Sequence, residues 1–367
     1  MSSENKVVQF VSQTGYLLPV CAAAFFLVQL FYAPPYTEQT PYLPYTRFFE
    51  LLLATAVVDW LLGRNLSSPT ASQTSFLARL PVFRWLLLIM LPIQCIYVFT
   101  SCALLGQMTS IPLIAYAGLI LLVGLSTGEF CIIIGHELIH SQHKIDRIFG
   151  GLMLCLVCYP SFKIEHVRVH HPMVATPEDV SSAKKGEGIY WFLPKAIVMN
   201  FVHAWQQEYQ RLQDRPLVMK VLQNELVGWL VLSFCIGGFI TYYLGVNGLI
   251  FFLLQSLVAI TFLETINFIQ HYGLKRRSCP GGGYEAVHAG HSWNAPYWFT
   301  QWLFVNMMRH SDHHQFPLRP YQVLRVPDKA PMWPFPLVVV FVLAFVPPLW
   351  KWIMDPIADY YNARWKT

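Results

Sequence analysis

Six apolar runs separated by short polar connections organise this chain of 367 residues. A helix crossing a hydrocarbon core of about 30 Å needs roughly 20 mostly apolar residues. That rule predicts helices over Tyr16–Ala33, Phe48–Leu62, Trp85–Leu105, Ile111–His140, Leu226–Leu244 and Gly248–His271. The second run is short for a full crossing. A seventh apolar stretch, Pro334–Ile353, carries Pro334, Pro336, Pro347 and Pro348. Proline removes a backbone donor and interrupts helices, so this stretch is read as a peripheral or re-entrant cap. The largest polar connection, Pro172–Asn224, contains a candidate interfacial helix at Trp191–Tyr209. The expected architecture is all-α: one integral-membrane domain over residues 1–367 with six transmembrane helices.

Composition supports a membrane body. Hydrophobic residues make up 55% and charged residues only 12% of the chain, against roughly 25% charged in soluble proteins. Mean hydropathy is +0.42. The start, MSSENKVVQF, lacks the basic, apolar and small-residue order of a signal peptide, so the first run is expected to remain as a span. The connections Gly106–Ser110 and Gly245–Asn247 carry no Lys or Arg, whereas the opposite helix ends carry Arg64, Arg79, Arg84, Lys144, Arg147, Arg215, Lys220 and Lys275–Arg277. By the positive-inside rule these basic ends, and both termini, face the cytoplasm. No internal repeat or nucleotide-binding glycine pattern is present, Gly281–Gly283 reads as a turn, and no nucleic-acid partner is expected.

Histidine placement adds the chemistry. Nine of 13 histidines fall in four short windows: His136 and His140; His166, His170 and His171; His271; and His310, His313 and His314. All four windows belong to the side assigned to the cytoplasm. His136 and His140 share one helix face, as do His166 and His170, and His310, His313 and His314 follow an i, i+3, i+4 pattern. A helix from Ile111 through His143 would run roughly 50 Å, carrying its first histidine pair clear of the bilayer. Imidazole is the commonest side-chain metal ligand, and nine rings exceed what one ion takes. Two neighbouring metal ions are therefore expected. His136-Glu-Leu-Ile-His140 also fits an HExxH zinc protease, with Glu137 as its general base, but that reading leaves the remaining histidine groups without a role. A transporter would keep its ionisable residues near the bilayer midplane, not at one end.

The chain resembles the membrane alkane monooxygenases, integral-membrane di-iron enzymes that hydroxylate terminal methyl groups. The matching strings are His136-Glu-Leu-Ile-His140, Glu165-His-Val-Arg-Val-His-His171 with Ala175-Thr-Pro-Glu-Asp179, Asn267-Phe-Ile-Gln-His-Tyr-Gly-Leu274, His291-Ser-Trp-Asn294, and Arg309-His-Ser-Asp-His-His314 running to Arg325. Family-like order extends from about Val57 to Pro356. The first pair alone is shared with fatty-acid desaturases and other membrane hydroxylases. The resemblance implies six spans, two irons held by the nine histidines, dioxygen as co-substrate, and electrons from a rubredoxin-like donor with its reductase. A hydrophobic alkane or lipid would enter from the bilayer, and a lipid desaturase or hydroxylase is the alternative outcome.

Polar residues beside the ligands are candidate supports. Glu264 lies seven residues before His271, two turns along the same face, and Glu129 bears the same relation to His136. Glu264 and Asn267 are expected to orient ligands; Asp312, Asp179 and Glu165 are expected to receive imidazole N–H groups. His143, His203, His288 and His291 are left over, with His291 a possible support. Trp60, Phe130 and Phe262 are tunnel candidates, although ordinary packing or lipid contact is the better explanation of such residues. The eight cysteines scatter through mostly apolar segments, and a lone Cys155-Leu-Val-Cys158 makes no rubredoxin site, so the electron donor is a separate protein. A basic rim of Lys275, Arg276, Arg277, Arg319 and Arg325 is its candidate dock. The chain departs from the family pattern at Gln270, at Ile133 and Ile134, and at Gln315 and Phe316. These changes are expected to narrow the cavity or alter the metal electronics.

Overall fold

The computed structural model describes residues 14–32, 40–108 and 110–365. Among them every regular element is helical, and β contacts are limited to isolated bridges. The elements used below are α1 (Leu18–Tyr32), α2 (Leu43–Leu62), α3 (Pro81–Leu104), α4 (Leu113–Ile139), α5 (Lys144–Cys155), α6 (residues 162–173), α7 (Ile189–Arg211), α8 (Glu225–His271), α9 (His310–Gln315), α10 (Leu337–Ala344) and α11 (Pro347–Arg364). Three of them, α3, α4 and α8, are long and apolar enough to cross a membrane. All six expected apolar runs are helical over most of their length. Ala33, which was to close the first, and the extreme N-terminus lie outside the described residues.

The 47-residue α8 covers two expected spans. Its one non-helical residue is Gly245, at φ 70°, a left-handed conformation that glycine adopts without steric cost. A Cβ placed on Gly237 would sit 3.5 Å from Leu249 Cδ1. Along a straight helix those residues would be about 18 Å apart, so the legs fold back on each other. The expected loop at Gly245–Asn247 thus shrinks to one residue.

The fourth expected helix is also shorter than its sequence suggested. It ends at Ile139, and His143 caps the start of α5 instead of extending the projection. Arg84 and Ser141 both hydrogen-bond the Asp146 carboxylate, fixing this corner. In the C-terminal apolar stretch, Pro347 lies in the first turn of a helix, where a missing N–H costs nothing. That helix, α11, buries Trp350, Met354 and Ala358, and Trp350 packs against Phe268 and Tyr272 at the end of α8. The expected helix at Trp191–Tyr209 forms as α7, with Ile189, Phe192, Ala196, Asn200, Ala204 and Glu208 buried along one stripe.

Close glycine contacts position the first histidine pair. A Cβ on Gly150 of α5 would lie 2.8 Å from both the Gly135 carbonyl oxygen and Ile139 Cγ2. A backbone oxygen cannot yield as a side chain can. Gly150→Val should therefore destabilise the fold by about 1–3 kcal/mol and push α4 away from the other histidine elements. Thermal unfolding in detergent, with metal analysis of the same sample, should show both losses together.

Candidate metal centre

The nine histidines converge into two buried groups. His136, His140, His166, His171 and His313 form one; His170, His271, His310 and His314 form the other. Within each group the ligand atoms lie within 4.8 Å of one another. The groups abut where His171 stacks on His314, ring centroids 4.3 Å apart. Four helical elements, α4, α6, α8 and α9, thus bring their rings to one double site.

One π-helical segment determines which ring joins which group, and a second re-aims a carboxylate. Residues His166–His170 form a π turn, whose i→i+5 bonding brings His166 and His171 together. His166 and His170, expected to share a helix face, have ring centroids 5.1 Å apart but divide between the groups, His170 joining the second. A second π segment, Gly128–Ile133, precedes His136. It breaks the two-turn alignment of Glu129 with His136, and Glu129 lines an apolar cavity instead of the metal groups. Neither π segment has a period-based signature, which is why sequence spacing missed them.

Side chains and backbone then fix the rings. Asp179 Oδ2 accepts from His170 Nδ1 at 2.9 Å and from the Ser182 hydroxyl at 2.6 Å. Burial acts to raise Asp179, but His170 and Ser182 hold it below the usual carboxylate range. His271 Nδ1 donates to the His291 carbonyl at 3.4 Å. In both histidines this leaves Nε2 facing its group. Trp293 N donates to the Gln270 carbonyl and Asn294 Oδ1 accepts from Ser311 N. The His291–Asn294 strap therefore ties the end of α8 to the start of α9. Buried Arg309 adds a bond to the Leu324 carbonyl at 2.8 Å.

The other expected supports sit differently. Glu264 accepts from the Tyr159 hydroxyl at 2.6 Å and from Asn267 Nδ2 at 3.1 Å, forming a buried chain one layer from the rings. Asp312 does not receive an imidazole N–H; its oxygens accept from the Arg319 guanidinium and from Arg325 N. As the third residue of α9 it points away from the histidine face. Glu165 accepts from Asn200 Nδ2, and burial, followed by the nearby Asp179 and Glu264, pushes its carboxyl well up. Arg276, Arg277 and Arg319 of the basic rim are engaged with Glu285, Pro172 and Asp312. Gln315 and Phe316 point outward and narrow nothing, whereas Ile133 and Ile134 are core residues. Phe130 and Phe262 line the cavity, but Trp60 is 75% exposed on the outer face.

The donor set fits metal. Burial pushes His140 down to about 3 and, with neighbouring rings, His166, His171, His310, His313 and His314 well down. Neutral rings are the ligating form. His136, His140, His170 and His313 keep a buried Nε2 without a hydrogen-bond partner. Nε2 atoms face each other at 3.1 Å for His166 and His171, 3.1 Å for His271 and His310, and 3.0 Å for His310 and His314. Nitrogens about 2.1 Å from one ion and at right angles to each other are about 3.0 Å apart. Imidazole donors suit iron, zinc, copper or nickel.

A third group, Glu285, His288 and His291, fails the same test. His288 Nδ1 accepts from Gly290 N and His291 Nδ1 from His288 N. Both Nε2 atoms therefore carry the proton, and His291 Nε2 donates to Glu285 at 3.3 Å. In the HExxH string, Glu137 accepts from Tyr321 N at 3.1 Å. It is committed to the backbone, which disfavours the protease reading.

Comparisons agree with this geometry. Residues 111–326 match the family model described as fatty acid desaturase. Alkane 1-monooxygenase 1 of Pseudomonas aeruginosa is 45% identical over 246 residues, 67% of this chain and 64% of that relative's own length. Alkane 1-monooxygenase 2 of the same organism is 38% identical over 331 residues, 89% of this chain and 86% of the relative. Alkane 1-monooxygenase 2 of Alcanivorax borkumensis is 37% identical over 305 residues, covering 83% and 80%.

Single substitutions separate ligands from bystanders. His313→Ala should lose most bound metal, whereas exposed His143, outside both groups, should tolerate alanine with metal content near wild type. Asp179→Asn should weaken metal binding about 10–100-fold, measured by chelator competition. Metal loss in His143→Ala would show the ligand set to be wrong.

Proposed function

The chain belongs to the fatty acid desaturase family and, within it, to the alkane 1-monooxygenases, an oxidoreductase family; from that premise we propose that it is a di-iron membrane hydroxylase. Its reaction converts the terminal methyl of an alkane or alkyl chain into a primary alcohol. The observation that carries this reading is the pair of abutting all-imidazole groups, five rings and four. The enzyme acts as one domain over residues 1–367, with six spans and its metal groups toward the cytoplasm. A separate rubredoxin-like protein with its reductase supplies the electrons.

Irons held by the five-ring and four-ring groups would supply dioxygen activation, for a reaction that takes the alkyl chain, O₂, two electrons and two protons to the alcohol and water. The protein's share is geometry and exclusion of water. His170 and His271 present Nε2 to the site because Asp179 and the His291 carbonyl hold their opposite nitrogens. Tyr159, Glu264 and Asn267 lock α8 against the segment leading into α6. Asp312, through Arg319 and Arg325, fixes the turn that follows α9. These three acidic and amide residues, Glu264, Asn267 and Asp312, are positioning residues. An apolar cavity of about 170 Å³ between α1, α2, α4, α8 and α10 admits hydrocarbon from the bilayer.

The test is product analysis. Protein in lipid vesicles, with a rubredoxin-like donor and reductase, should convert a medium-chain alkane under ¹⁸O₂ to a primary alcohol carrying one labelled oxygen. Unlabelled alkene from an acyl lipid would make it a desaturase. No oxygen uptake with any alkane, alkylbenzene or acyl lipid would overturn the proposal.

A further inference from the structure

The membrane-side cavity is walled by Leu18, Phe26, Leu125, Phe130, Phe262, Phe304 and similar side chains. Among the described residues lining it, Glu129 is the one ionisable group and Thr55 the one hydroxyl. Glu129 Oε1 is buried and takes no hydrogen bond. A carboxyl in such surroundings is costly unless something satisfies it. Interhelical glue would show a partner on a neighbouring helix, and none reaches Glu129 Oε1. The group also does not serve the metal centre, because the π segment at Gly128–Ile133 turns it into the cavity.

We propose that Glu129 recognises the hydroxyl end of an amphiphilic alkyl substrate, so that the enzyme prefers chains already oxidised at one end over plain alkanes. This rests on the hydroxylase reading above and names the substrate class for the same cavity. A hydrocarbon alone leaves the carboxyl unpaired, whereas an O–H donor at the chain end satisfies it and the remaining methylenes fill the apolar wall. Glu129 stands seven residues before His136, roughly 10 Å along the helix axis. A chain tethered there by its hydroxyl keeps its opposite, methyl end free to extend toward the metal groups. The reaction then yields an α,ω-diol, with the same dioxygen, electrons and protons as for an alkane. A cationic end group fits less well, since one carboxyl among aromatic and aliphatic walls supplies few of the acceptors an ammonium needs.

The test is equilibrium binding of labelled dodecan-1-ol to the metal-loaded protein in lipid nanodiscs, with dodecane as competitor. Wild type should favour the alcohol by about tenfold or more, the range expected for satisfying one buried polar group. Glu129→Gln, which keeps hydrogen-bonding capacity, should retain much of that preference, and Glu129→Leu should abolish it. An alcohol-to-alkane ratio near one in wild type, or a ratio unchanged in Glu129→Leu, overturns the inference. If the leucine variant does not fold, judged by its thermal melt and metal content, the wild-type ratio and the glutamine variant decide. Product analysis keeps the two claims apart: a wild type that hydroxylates dodecane while showing no alcohol preference sinks only the role of Glu129. A wild type that binds and converts neither chain sinks the hydroxylase reading as well.

Discussion

Nine imidazoles packed into a dry volume, several with nitrogen facing nitrogen at 3.0–3.1 Å, form an arrangement that demands positive charge between them. Burying ring nitrogens without partners costs free energy, and like lone pairs in contact add to that cost. Metal ions remove both penalties at once. Much else in the fold serves this constraint: the elements that carry the rings must meet at one place, and each ring must show the correct nitrogen.

The devices that satisfy it are local. A π turn rotates His166 and His171 toward one group and His170 toward the other. A glycine contact lets α5 press against the end of α4, where a side chain would hold it away. The strap through Trp293 and Asn294 clamps the ends of α8 and α9, so that His271 and His310 arrive from elements 39 residues apart in sequence with Nε2 atoms in contact. Asp179 and the His291 carbonyl then set the tautomers. On the membrane side the environment reverses, and the cavity wall is aromatic and aliphatic except at Glu129 and Thr55.

Much of this was legible in the sequence because the strongest signals are compositional and clustered. Apolar runs marked the helices, and four histidine windows marked the candidate ligands, all nine of which fall in the two groups. Features set by backbone detail were not legible. The helix hairpin at Gly245 looked like a loop because glycine and asparagine are common in turns. The i, i+4 rule assigned His166 to His170 because it assumes α-helical bonding throughout. Asp312 looked like an imidazole partner from adjacency, but its place on α9 directs it to Arg319 and Arg325. Glu129 looked like a support for His136 for the same reason of spacing, and its turn into the cavity follows from a π segment that hydrophobic pattern does not encode.

The most direct measurement is metal stoichiometry on the purified full-length protein, by mass spectrometry of released metal together with Mössbauer spectroscopy of ⁵⁷Fe-grown material. Two iron atoms per chain, in nitrogen-rich and magnetically coupled or adjacent environments, is the predicted result. A single zinc or a single iron per chain would contradict the claim that the five-ring and four-ring groups are two neighbouring sites.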